Sequence, residues 1–316
     1  MNSTNTYKEI IANIPDSHYF DDEEYYRDVL KTDYEIITVG KFALNISFQE
    51  VFLGFKVGYV RGGMRFNNDN SSIEEFKNAV DEFQKILARK KYIYLIMEHL
   101  RTKSEFTEFF KNIAPFQTKK GTAIIYPKAE WLSKFKSKDR YNLTYAGKKG
   151  VEVKIFAGKE FNPAEDEKFY KFIEMIRKKS AGKYFFPDYD AICRLLKVMD
   201  CYIVLAENKD KYIALNISVF NPAKTRLERV FAGSDKTYAS LRAPEYLELK
   251  FIEYLAQNNV NYYDLWMINE GDGFTDFKKK LADEIIEYAP RSIWYINKLI
   301  GLPYLFVSRI KAKLLN

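Results

Sequence analysis

The spacing of apolar and polar positions predicts most of the strands and helices of this chain. In the first half, EIITV (35–39), FALNISF (42–48) and FKVGYV (55–60) are short runs rich in β-branched and aromatic residues, as strands require. A helical period follows over residues 71–90, and YIYLIM (92–97) reads as a further strand. The second half repeats this order with YIVLAE (202–207), YIALNISVF (212–220), RLERVFAG (226–233), a helix over 244–258 and NYYDLWMI (261–268). The pentapeptide ALNIS stands at matching points of the two series, at 43–47 and 214–218, so the shared order points to a duplicated unit. Each unit is a hairpin, a third strand, a helix and a fourth strand, which predicts an α/β (mixed α+β) fold with a mixed, largely antiparallel sheet flanked by helices in each half. A short basic helix over 138–149, closed by Gly150, marks a boundary, giving domains 1–150 and 151–316.

Composition narrows the class. With 316 residues, 47% hydrophobic and 16% aromatic, the chain supports about two packed cores. Fifty Lys and Arg against 43 Asp and Glu leave +7, which suits a polyanion, an anionic membrane or simply a lysine-rich solvated surface. Cys193 and Cys201 make neither a zinc signature nor a disulfide framework, and the two histidines, His18 and His99, are too few for a metal site. No metal is expected. The N-terminus lacks a basic start and apolar core, and no apolar run spans a bilayer, so a cytoplasmic protein is expected. The segment SIWYINKLIGLPYLFVSRIKAKLL is apolar with basic ends, as for either a packed terminal helix or a peripheral membrane contact.

Three segments carry a family likeness: RYNLTYAGKKGVEV at the junction, APEYLELKFIEYLAQNNVNYYDL, and GFTDFKKKLADE. In this order they resemble the FemABX peptidyltransferases, which have two fused acetyltransferase-like (GNAT) domains. The resemblance implies transfer of an amino acid from aminoacyl-tRNA to an amine of a peptidoglycan precursor. It implies aminoacyl-tRNA as co-substrate with no other cofactor. The precursor would be a UDP-linked muropeptide or its lipid-linked descendant. No DNA partner and a monomer are expected. The chain departs from the family pattern at Gly63, Leu281 and Ala282.

The resemblance assigns Lys278 the stabilisation of the tetrahedral oxyanion, with Phe277 shaping its pocket. A fixed cation beside developing negative charge lowers the barrier to aminolysis. The spacing of Phe274, Phe277 and Leu281 equally suits the buried face of a helix with Lys278, Lys279 and Lys280 in solvent. Asp264 is the acidic residue placed to act as a base, or else to orient a loop backbone. For precursor binding, Arg61 follows a strand beside glycines and suits phosphate or carboxylate. The resemblance adds Lys31, Glu98, Arg177 and Tyr189 to that set. Arg140, Lys148 and Lys149 would meet tRNA phosphates. Two alternatives remain: a CoA-dependent N-acyltransferase, although the turns RGGMRFNND and GSDKTYASLRAP do not fit a CoA pyrophosphate loop, and a non-catalytic protein that binds RNA or a cell-wall precursor.

Overall fold

The computed structural model describes residues 3–14, 17–66, 71–98, 120–180, 187–269, 273–288 and 292–314. Helix α1 (Ser3–Ala12) precedes the first sheet, which begins with β1 (Tyr34–Val39), β2 (Phe42–Phe52) and β3 (Phe55–Arg61). Helix α2 (Ile73–Arg89) then carries the chain back over the sheet, so β4 (Tyr92–Glu98) lies parallel to β3 while β1–β2 and β2–β3 are antiparallel. Ser72 starts α2 by accepting from the Glu75 N–H, while the Glu75 carboxylate accepts from the Ser72 N–H. Phe76, Phe83 and Leu87 on its inner face pack with Leu44, Ile46 and Leu95.

The second sheet is built the same way. After β5 (Lys120–Ile125), α3 (Ser137–Lys148), β6 (Glu152–Ala157), α4 (Glu167–Ser180) and α5 (Tyr189–Val198) come β7 (Cys201–Asn208), β8 (Lys211–Phe220) and β9 (Leu227–Ser234). Helix α6 (Ala243–Gln257) returns the chain to β10 (Tyr263–Asn269), which runs parallel to β9. The succession β7–β8–β9–α6–β10 therefore repeats β1–β2–β3–α2–β4. The ALNIS segments occupy corresponding places in β2 and β8, and each buries its asparagine, Asn45 or Asn216. Asn45 donates to the Tyr7 hydroxyl, and Asn216 donates to Glu248 and the Tyr263 hydroxyl and accepts from the Ser218 hydroxyl, so each amide is tied into its core.

The sheets do not divide at residue 150. After α7 (Gly273–Leu281), β11 (Glu284–Glu287) joins the second sheet and β12 (Ser292–Tyr295) joins the first. β5, from before the boundary, sits between β10 and β11, and β12, from after it, pairs with β4. The two units have thus exchanged strands. The stretch from Tyr19 to Val29 also crosses over, its aromatic rings packing with α4, α5 and β7 in the second core. The C-terminal apolar segment is a strand followed by helix α8 (Lys298–Leu314), rather than one continuous element. The helix predicted over 138–149 is α3, and Gly150 beyond it has φ +76°, a conformation that favours glycine.

An ion-pair cluster fastens the edge strand β6. Glu207 of β7 meets Lys154 at 2.5 Å and Lys168 at 2.9 Å. Burial raises the Glu207 carboxyl's pKa, but the bonds to Lys154 and Lys168 outweigh it and hold it below the ordinary glutamate value. A carboxyl depressed on folding adds stability above its unfolded pKa and loses it as pH falls through the folded value. The urea midpoint of the wild type is therefore expected to exceed that of Glu207→Gln at neutral pH. The difference should shrink toward zero below about pH 4; a constant difference across that range would remove the electrostatic explanation.

Candidate active site at the parting of two strands

β9 and β10 share two rungs, Tyr263 with Leu227 and Asp264 with Glu228. Beyond them β9 pairs with β8, and β10 pairs with β5 after a bulge between Asp264 and Met267. Within the bulge Trp266 has φ +61°, an unfavourable conformation for a side chain of its size. Asp264 holds it there, because its carboxylate accepts the Trp266 N–H at 2.7 Å.

Asp264 is itself held from behind. It is fully buried, accepts from the Thr122 hydroxyl of β5 and is ion-paired with Arg226. Arg226 also reaches Glu228 at 3.0 Å, and Glu228 accepts from His18 Nδ1 at 2.6 Å and from the Tyr19 N–H at 3.0 Å. The His18 N–H donates to Asp21 at 2.6 Å, and Asp21 accepts from Arg65 at 2.7 Å. Arg65 bridges by its backbone to Ala43 in the first sheet. One buried polar chain therefore runs from the first sheet to the bulge in the second. Burial disfavours the charge on Arg226, but Glu228 and Asp264 more than offset that penalty, so its pKa is raised and it stays protonated.

Lys278 completes the bulge from the other side. Its ammonium donates to the carbonyl oxygens of Met267 at 2.6 Å and Trp266 at 3.3 Å, just past the last rung that β10 shares with β9. It is half-buried, whereas Lys279 and Lys280 are exposed, so the three lysines of KKK are not equivalent. Leu281 is buried in the core as the helical spacing predicts; the side chain of Phe274 and all of Gly271 lie outside the described residues.

Phe277, next to Lys278, lines a cavity of about 250 Å³ with Ala232, Gly233 and Ser234 of β9 and with Pro244, Glu245 and Glu248 of α6. Ala214 and Leu215 of β8 and Arg229 of β9 also line it, so the cavity lies over the β8–β9 pair under α6. On its wall Glu248 accepts from Arg229 at 2.7 Å, from Asn216 at 3.0 Å and from the Tyr263 hydroxyl at 3.1 Å. At its rim Glu245 accepts from Arg242 Nε at 3.0 Å. Carboxylates thus occupy the N-terminal turns of α6, where a bare helix start would favour an anion.

The structure gathers only part of the residue set expected from the sequence. Phe277 lines the cavity, while Lys278 beside it turns to the bulge carbonyls. Asp264 does not reach it: buried in an ion pair and bonded to the Trp266 N–H, it orients the loop backbone and is no free base. Arg61 ends β3 opposite Glu98 in the parallel register; the Glu98 side chain lies outside the described residues. The Tyr25 hydroxyl, pushed up by burial, is bonded by Arg61. Tyr25 packs edge-on against Tyr19 at 5.0 Å, and Tyr19 against Trp266 at 5.7 Å, so two tyrosine rings stand between Arg61 and the bulge along this path. Lys31 is exposed, and in a left-handed conformation closes the π-helical turn Tyr25–Leu30. Arg177 and Tyr189 lie elsewhere. Arg177 pairs on the surface of α4 with Glu174 at 3.1 Å. The Tyr189 hydroxyl, pushed up to about 12 chiefly by burial and then by Cys193, donates to the Pro163 carbonyl at 2.6 Å. Arg140 on α3 donates to the Phe135 carbonyl at 2.6 Å, while Lys148 and Lys149 lie over the rings of Tyr141 and Tyr145 at 4.9 and 5.5 Å. Helix α3 packs on α6 so closely that a Cβ on Gly147 would stand 2.6 Å from the Tyr246 ring.

The sequence reading missed Arg226, Glu228, His18, Asp21 and Arg65. A signal existed: RLERVFAG places three charges in a strand otherwise expected to be buried, and buried charges must be paired. The RGG turn also serves this network. Gly62 has φ +78°, and a Cβ there would fall 2.0 Å from Arg65 Nη2. Gly62→Ala is expected to cost about 1–3 kcal/mol, from the positive φ and the displaced guanidinium. A urea midpoint equal to that of wild type would show that Arg65 is not set by this turn.

Searches of family models and of curated proteins give no match for this chain. Solved structures do match. FemX superposes with a TM-score of 0.71 at 12% identity, over 97% of this chain and 98% of that one. The C-terminal domain of a protein designated a lysylphosphatidylglycerol synthetase from Agrobacterium fabrum gives 0.64 at 10%, over 98% and 96%. A tandem GNAT protein from the clavulanic acid biosynthesis pathway gives 0.55 at 9%, over 92% and 94%. This chain has the fold of FemX: two fused acetyltransferase-like units, with the candidate site where the second unit's parallel strands part.

Proposed function

We propose that this protein transfers an amino acid from aminoacyl-tRNA to an amine of a peptidoglycan precursor. In this reading the amine attacks the ester carbonyl, the C–N bond forms, the bond between the acyl carbon and the ribose oxygen breaks, and the amine's proton leaves on that oxygen as the ribose hydroxyl. In this reading the Lys278 ammonium, held by two backbone carbonyls, stabilises the oxyanion of the tetrahedral intermediate. A side chain held in place before reaction costs little at the transition state.

The observation that carries this reading is the half-buried Lys278 ammonium bonded to the bulge carbonyls, in a chain with the fold of FemX. Glu245 and Glu248, paired with Arg242 and Arg229, occupy the start of α6 where a CoA pyrophosphate would sit. The same carboxylates oppose the pyrophosphate of CoA. Support for the RNA end comes from α3, packed on α6, whose Lys148 and Lys149 accompany Tyr141 and Tyr145 in a basic and aromatic surface of the kind that takes single-stranded nucleic acid. Arg61, with Lys31 nearby in sequence to its tyrosine neighbours, is the arginine we assign to the acceptor's anionic groups. Arg177 and Tyr189, tied up on α4 and α5, are not included.

The deciding experiment incubates the purified protein with a mixture of charged tRNAs and muropeptides, UDP-linked and lipid-linked, and looks by mass spectrometry for an added residue. A product that requires charged tRNA is expected. Acyl transfer from CoA thioesters with none from aminoacyl-tRNA would establish the alternative, and RNA binding without transfer from either donor would leave only a binding protein.

A further inference from the structure

Trp266 keeps its left-handed conformation with little help from its own strand. The register of β10 with β5 breaks between Asp264 and Met267 and skips it. Its N–H donates to Asp264, and one hydrogen bond contributes about as much as such backbone strain costs, so the bond alone does not over-determine the conformation. The further restraint is aromatic. The indole is half-buried and meets three rings of one short segment edge-on, Tyr19 and Phe20 at 5.7 Å each and His18 at 5.8 Å. His18 and Phe20 are themselves stacked at 4.6 Å and fully buried.

That segment precedes the first sheet in sequence and is fastened to both units. On the side of the first, the Tyr7 hydroxyl donates to the Asp21 carbonyl at 2.9 Å, Arg65 pairs with the Asp21 carboxylate, and the Arg65 guanidinium lies over the Phe20 ring at 5.7 Å. On the side of the second, Glu228 is bonded to His18 Nδ1 and to the Tyr19 N–H, and Asn221 donates to the Ser17 carbonyl at 3.1 Å. Glu228 stands on β9 opposite Asp264, the residue that accepts the Trp266 N–H. The three rings are thus held against the bulge from two directions. Displacing them would free the indole, and the Trp266 and Met267 carbonyls that receive Lys278 would move with it.

We propose that residues 18–20, supplied by the first unit, position Lys278: their rings clamp Trp266 and so keep the bulge carbonyls where the ammonium is bonded. The segment acts through Trp266 rather than on substrate. The inference rests on the acyl-transfer reading only for the use made of Lys278, and its test does not depend on transfer. Competitive labelling of the full chain with a limiting amine-reactive ester, followed by peptide mapping, reports the reactivity of each lysine. In wild type, Lys278 is expected to label about tenfold more slowly than exposed Lys279, because bonding to carbonyls favours the charged, unreactive form. Phe20→Leu removes a clamping ring, and Trp266→Asn removes the clamped one while leaving a residue that accepts a left-handed backbone more readily. Each should bring Lys278 to within about threefold of Lys279. Trp266 is only half-buried, so its variant keeps the test available should Phe20→Leu not fold. Phe76→Leu, at an equally buried ring in the core of the first sheet, controls for general loosening and should leave Lys278 slow. A bulge fixed by hydrogen bonds alone would be at least as well formed in Trp266→Asn, so labelling of Lys278 there as slow as in wild type would overturn the proposal. An equal rise in Phe76→Leu, or a wild-type Lys278 no slower than Lys279, would overturn it too. Where transfer is detected, turnover should fall in the same two variants with the apparent affinity for the donor little changed. A wild type that transfers nothing would count against the acyl-transfer reading alone, and the labelling would still decide this one.

Discussion

Lys278→Ala is expected to lower aminoacyl transfer by about a hundred- to a thousandfold in turnover, the usual loss when one fixed donor to an oxyanion is removed. The melting temperature should change little. Lys278 is half-buried and bonds to carbonyls at a strand bulge, where water can replace it once the side chain is shortened. Lys279→Ala and Lys280→Ala serve as controls, since both neighbours are exposed and Lys280 is tied to Asp139 at 2.5 Å rather than to the bulge. The loss should fall on turnover more than on the apparent affinity for the donor, because the charge that the ammonium meets develops only as the ester is attacked. Lys278→Arg should recover only part of the activity, since a planar guanidinium does not present its donors where a compact ammonium does. Transfer by Lys278→Ala at the wild-type rate would remove this residue from the mechanism while leaving the fold assignment intact.

Arg226→Met is expected to be the most destabilising single substitution in the polar chain, by about 3–5 kcal/mol. Two buried carboxylates, Glu228 and Asp264, lose their shared cation, and neither is open to water. The melting temperature should fall by about 10 °C if unfolding is cooperative. The triple variant Arg226→Met, Glu228→Gln, Asp264→Asn should regain part of the loss, because most of the cost lies in the stranded charges rather than in the missing attraction. Calorimetry of the single and triple variants decides the matter. A single-variant loss below about 1 kcal/mol would mean that the arginine contributes no more than a surface ion pair. The same substitution should also impair transfer in whatever fraction remains folded, since Asp264 holds Trp266 in its left-handed conformation and the Trp266 carbonyl receives Lys278.

Burial separates Lys278 from its neighbours Lys279 and Lys280. Apolar spacing alone made Phe277 and Leu281 a helix face and the lysines its solvent side. That holds for Leu281, Lys279 and Lys280, but fails for Lys278, which turns toward β10. For Asp264 the outcome runs the other way. Its place in a strand of aromatic residues made a base conceivable, yet an acid among apolar residues needs a buried cation, and Arg226 supplies it from β9. Arg177 and Tyr189 were drawn from likeness to a family pattern, and their positions on α4 and α5 answer local needs, a surface ion pair and a buried hydroxyl.

The repeated order of strands and helices, the β2 and β8 asparagines within ALNIS, the short helix before Gly150 and the basic, acid-free C-terminal segment are all local properties of the chain, set by periodicity, propensity and composition within a few residues. What periodicity does not carry is the choice of partner. KGTAII and SIWY form strands in either sheet equally well as far as their own residues go, and only the assembled edges of β10 and β4 decide that β5 crosses one way and β12 the other. The polar chain from Arg65 to Asp264 likewise needs residues more than two hundred positions apart, His18 and Glu228, to meet in one buried place. Hydrogen bonds and ion pairs of that range depend on distances that exist only after the two units have packed.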